Sequence, residues 1–86
     1  MANATIKFEN TSRENTASIY LMDDENNEVY VGDVSPSESS EQNTDLGDEW
    51  IVKAKSNGSE IGSVTVTSNG QTYKILWSRG DAGLED

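Results

Sequence analysis

The chain has 86 residues, with 16 Asp and Glu against 6 Lys and Arg, a formal net charge of -10, no histidine and no cysteine. That balance argues against nucleic-acid partners and anionic membrane surfaces, because affinity for both comes largely from cations meeting phosphates. Without His or Cys the chain lacks the usual general base near neutral pH, the commonest metal ligand, disulfides and thiolate metal sites.

One domain is expected at this length, and with 33% hydrophobic residues its core must be thin. Thr5-Ile6-Lys7-Phe8-Glu9 alternates polar and apolar and predicts a first strand. A polar turn follows over residues 10–16. Residues 17–22 read as a second strand, with Ala17, Ile19 and Leu21 on one face and Tyr20 and Met22 on the other. Asp23-Asp24-Glu25-Asn26-Asn27 has the composition of a solvated turn. Residues 28–34 form a third strand carrying Val29 and Val31 on one side and Tyr30 on the other. Pro36, the only proline, ends that strand and opens a loop, and residues 39–44 make a short polar fourth strand.

The stretch from residue 42 to residue 54 organises the rest. A polar strand end breaks at a turn containing Gly47, and an apolar strand then opens on Trp50. Trp50 is read as a central packing residue with Val52 and Ala54 on its face, while Lys53 and Lys55 point outward. Residues 50–55, 60–67 and 71–78 are three strand-like runs separated by Asn57-Gly58 and Asn69-Gly70. Asn-Gly supplies the two positive φ angles of a type I′ turn, so residues 50–78 are expected to form an antiparallel meander. The expected fold is all-β: a small antiparallel β-sandwich of about seven short strands over residues 1–78, with no helical domain. Residues 79–86 are polar and Gly-rich and are expected to be a flexible C-terminal tail.

Ile6-Lys7-Phe8-Glu9-Asn10, Ile19-Tyr20-Leu21, Tyr30 before the Pro36 loop, Gln42-Asn43-Thr44, Gly47, Trp50-Ile51-Val52, Ile61-Gly62-Ser63 and Tyr73-Lys74-Ile75 together carry a resemblance. In order and spacing, over roughly residues 4–76, the chain resembles the β domain of the von Hippel–Lindau tumour-suppressor family, including its free-standing bacterial relatives. No one of these motifs is specific, and the combination of Tyr30, Gln42-x-Thr44, Gly47 and Trp50 is the most telling part. The resemblance implies a β-sandwich that binds a hydroxyproline-containing peptide in a pocket of Trp, Tyr, Ser and His. Trp50 and Tyr30 match the pocket tryptophan and tyrosine, Thr44 stands for the serine, and Tyr20 stands where a further aromatic lines the groove. Asp48 occupies the histidine position, a departure that matters because an ionised carboxylate only accepts hydrogen bonds. The helical domain that recruits the ubiquitin-ligase machinery has no counterpart here, so that role does not carry over.

On this reading Tyr20, Tyr30, Thr44, Asp48 and Trp50 converge on one partly open concavity, and the chain is a monomeric, non-catalytic peptide- or protein-binding module. The alternative is a purely structural or accessory domain with no small ligand. Neither a nucleophile with its base nor a recognisable carboxylate pair is present, so no enzyme activity and no cofactor are expected. The acidic turn at residues 23–28 lacks the glycine and spacing of a calcium loop, so no metal is expected there. Arg79-Gly80-Asp81 and the sequons at Asn3, Asn10 and Asn57 are expected by chance in such a composition. No apolar run approaches the ~20 residues of a membrane helix. With no signal peptide and no cysteine, a cytoplasmic location is favoured.

Overall fold

The computed structural model describes residues 2–77. Seven strands follow one another: β1 (Ala4–Asn10), β2 (Ala17–Met22), β3 (Glu28–Val34), β4 (Ser39–Thr44), β5 (Glu49–Ala54), β6 (Glu60–Thr65) and β7 (Gln71–Ile75). They form a three-stranded sheet in the order β4-β1-β7 and a four-stranded sheet in the order β3-β2-β5-β6. The molecule is thus a small all-β sandwich, with no helix among the described residues.

The alternation of polar and apolar residues explains how the sheets face each other. In β1, Ala4, Ile6, Phe8 and Asn10 are buried while Thr5, Lys7 and Glu9 are partly exposed. In β5, Trp50, Val52 and Ala54 point inward as their spacing requires. Phe8 and Trp50 meet across the interior with ring centroids 5.3 Å apart, and Tyr73 closes on the other edge of Phe8 at 6.1 Å. Ile6, Ile19, Val34, Val52, Val66 and Ile75 fill the space around them. Gly62 in β6 faces this core, and a Cβ there would lie 2.1 Å from the Tyr73 hydroxyl oxygen. The two sheets can approach at that point only because the side chain is missing.

Asn10 ties one end of the sandwich together. Its Nδ2 donates to the carbonyls of Asn15 and Val34 at 2.7 and 3.0 Å, and its Oδ1 accepts from the Ser12 amide and the Trp77 indole. A buried amide side chain needs such partners, and this one binds three separate segments.

Three expectations about the second half require correction. β5 and β6 pair antiparallel as the meander demands, but β7 leaves that sheet and runs parallel to β1, with Phe8 opposite Tyr73. The cause is long-range. Asn69 Oδ1 accepts the Thr5 amide at 2.9 Å and the Gly70 amide donates to the Thr5 carbonyl at 2.9 Å, which docks the turn onto β1. Nor are the Asn-Gly pairs type I′ turns. Within each pair the glycine alone has positive φ, 74° at Gly58 and 82° at Gly70, while the asparagine side chains accept amides of Ser59 and Thr5 instead. β6 also ends at Thr65, earlier than its composition suggests, because Val66 exchanges hydrogen bonds with Gly47 and Asp48 in the β4–β5 turn. The expected tail at 79–86 and Arg79-Gly80-Asp81 lie outside the described residues.

Candidate binding surface

The five residues singled out from the sequence fall into two groups on opposite faces of the four-stranded sheet. Thr44, Asp48 and Trp50 do come together. Thr44 ends β4, Trp50 stands near the start of β5, and Asp48 closes the turn between them by donating its amide to the Asp45 carbonyl at 3.0 Å. Gly47, at φ 94°, supplies the left-handed residue this turn needs. The Trp50 indole Nε1 donates to Thr44 Oγ1 at 3.0 Å, and that hydroxyl donates to Asp48 Oδ2 at 2.8 Å. The same carboxylate oxygen accepts the Asp45 amide at 2.9 Å. Trp50 is 1% exposed and Thr44 3% exposed. This relay uses the indole proton and the hydroxyl proton, so these groups hold the end of the sandwich closed.

Tyr20 and Tyr30 lie on the other side. In β2, Tyr20 is opposite Ile51 of β5, whereas Leu21 is opposite Trp50, so Tyr20 projects away from the core that holds Trp50. Tyr20 and Tyr30 are cross-strand partners, their rings 5.6 Å apart and tilted by 63°. Tyr30 is 56% exposed. The expected single concavity therefore does not form, because residues on adjacent strand positions alternate between the two faces of a sheet. A shallow depression of about 270 Å³ lies elsewhere, lined by Glu9, Asn10, Thr11, Ser37, Glu38 and Ser39.

The surroundings of the two tyrosines went unread in the sequence. The Tyr30 hydroxyl donates to Asp33 Oδ1 at 2.9 Å, the Ser18 hydroxyl donates to the same atom at 2.8 Å, and Lys55 Nζ donates to Asp33 Oδ2 at 2.6 Å. Lys53 bonds Glu28 and stands 4.9 Å above the Tyr20 ring centroid. The hydrogen bond from Lys55 holds the Asp33 carboxyl below its ordinary range, and those from Ser18 and Tyr30 add to it. The hydrogen bond it donates to Asp33 raises the Tyr30 phenol above its ordinary value. Lys53 is raised chiefly by its bond to Glu28, and Lys55 by its bond to Asp33. At neutral pH two ammonium groups thus face two carboxylates beside a protonated Tyr30 phenol. In a chain of net charge -10 this aromatic face holds two paired lysines, with Glu60 also acting on Lys53 from the neighbouring strand.

Beneath it lies Ile51, 6% exposed although it points away from the main core. Strand parity assigns Ile51 to the face of Lys53, but only the pairing with Tyr20 reveals why it is covered. Among the described residues no group of three or more Cys, His, Asp or Glu could hold a metal ion. Architecture and surface together define a two-sheet all-β domain with an aromatic, ion-paired outer face. No protein-family model, curated protein or solved structure matches the chain.

Proposed function

We propose that this chain is a non-catalytic peptide-binding module, a relative of the von Hippel–Lindau β domain, that takes a proline-type residue on its Tyr20–Tyr30 face. The observation that carries the reading is an exposed tyrosine pair flanked by ion-paired side chains. Tyr30 has a largely open ring, Tyr20 buttresses it edge-on, and Lys53 and Asp33 are already paired. A pyrrolidine ring can stack on such a phenol without stripping water from an unpaired charge. The sequence resemblance supports a peptide as the ligand. The burial of Thr44 and Trp50, with Asp48 taken up in their hydrogen-bond relay, argues for a ring site displaced from those three residues to the two tyrosines. One ring buries little area against the entropy of association, so binding is weak.

The test is a titration of the isotope-labelled domain with short proline and hydroxyproline peptides, followed by NMR. Shifts confined to Tyr20, Tyr30, Lys53 and their strand neighbours are expected, and they vanish in Tyr30→Ala. An unchanged spectrum at millimolar peptide would refute the reading. It would favour the second one, a structural or accessory domain, for which the buried Trp50–Thr44–Asp48 relay is the supporting observation.

A further inference from the structure

β3 is an outer strand of its sheet, paired with β2 alone. Four strands occupy sheet edges, and β3 differs from the other three in what it shows to solvent. Of the five exposed large hydrophobic residues among the described residues, Val29, Tyr30 and Val31 are consecutive on it, at 48%, 56% and 38% exposure. By contrast β4 is polar throughout, and the apolar residues of β6 and β7 are at least partly covered. Edge strands normally carry charges at such positions to discourage pairing with another chain. A bulge between the Tyr20 and Ile19 pairings makes Val31 an extra residue in β3.

We propose that the β3 edge accepts an extended, basic segment of a partner protein as a fifth strand, running antiparallel to β3. The inference rests on the binding-module reading and names its partner chemistry. Backbone groups on the open side of β3 supply the pairing, and the exposed side chains of Val29, Tyr30 and Val31 give the incoming strand an apolar footing. Charge selects the partner. The β2–β3 turn at the start of this edge carries Asp23, Asp24 and Glu25 next to Glu28, while the nearest lysines, Lys53 and Lys55, are already bonded to Glu28 and Asp33. Cations at the C-terminal end of an antiparallel strand would lie against that turn. A second copy of this chain is a poor occupant, because -10 would meet -10 along an edge bounded by Glu28 and Asp33.

The probe is a synthetic, proline-free peptide of alternating valine and threonine ending in two lysines, titrated into the labelled domain. Expected are amide shifts along residues 28–34, and binding about threefold to tenfold weaker in D24N/E25Q, the range for losing two surface charge contacts. Placing the lysines at the N-terminus should weaken binding similarly. V29K/V31K changes only exposed side chains and should abolish it. The same peptide with alternate backbone nitrogens methylated is tested in both phases, and one phase should lose binding. Equal binding by both phases, or by a glutamate-ended peptide, would overturn strand addition to this edge. So would β3 line broadening that grows with protein concentration alone, since a second copy would then cover it. Shifts with proline peptides and none with this probe would sink the strand addition and leave the Tyr20–Tyr30 reading standing. The converse result would sink the ring site alone.

Discussion

Replacing Thr44 with valine tests the buried relay at the β4–β5 turn. Valine keeps the shape of the side chain and removes the hydroxyl. The Trp50 indole N–H then faces a methyl group in an environment where Trp50 is 1% exposed, so no water can stand in. Asp48 loses one donor but keeps the Asp45 amide, which limits the damage on that side. An unsatisfied buried donor costs about 1–3 kcal/mol. At about 4–8 °C per kcal/mol for a domain of this size, the melting temperature of Thr44→Val should fall by roughly 5–20 °C. Thr44→Ser keeps the hydroxyl and loses one methyl, worth about 0.8 kcal/mol, so it should melt above the valine variant. Thermal unfolding by circular dichroism gives the order, and exchange of the Trp50 indole proton with solvent should be faster in the valine variant. A valine variant as stable as the parent, or more stable than the serine variant, would show that the relay contributes nothing.

Gly62→Ala should destabilise the domain by about 1–3 kcal/mol, the usual cost of an extra methyl in a filled core. The new Cβ would meet the Tyr73 hydroxyl, whose ring is held against Phe8; recovery of the melting temperature in G62A/Y73F would identify the clash. Asp33 has a folded value below that of an ordinary carboxylate, so its contribution is fully present above the unfolded value of about 4 and is lost as pH falls through the folded one. Acid titration of stability should therefore be shallower below about pH 4 in Asp33→Asn than in the parent, and parallel curves would contradict the network.

Most of the strands were legible because the core is built by alternation. Ile6 and Phe8, Ile19 and Leu21, and Trp50, Val52 and Ala54 each announce an inward face, and these residues do line the interior. Val66 kept its place in that pattern and is buried, although the strand had already ended. Sheet membership was not legible. Asn69-Gly70 looks like a hairpin locally, and what redirects it is Thr5, more than sixty residues earlier. The site failed for a related reason. Parity along β2 and β3 put Tyr20 and Tyr30 on one face, but nothing local says that Trp50 belongs to the opposite face of the same sheet. That follows only from the register that sets Leu21 opposite Trp50. Asp33 gave no signal at all, since its three partners are Ser18 of β2, Tyr30 of its own strand and Lys55 just past β5.

The parallel pairing of β1 with β7 sets a timetable for the nascent chain. β2, β3, β5 and β6 are all synthesised before β7, so the four-stranded sheet has every member available while β1 still lacks one neighbour. Until β7 emerges, one side of β1 is an open ladder beside a half-covered Phe8, and closing it requires joining the earliest strand to the latest. Such distant pairing pays its loop-closure entropy before any contact rewards it, which puts refolding in the slow range of small two-state domains, milliseconds to seconds. During that interval the incomplete chain is most exposed to wrong pairing, and its dense negative charge is then a means of keeping neighbouring chains apart.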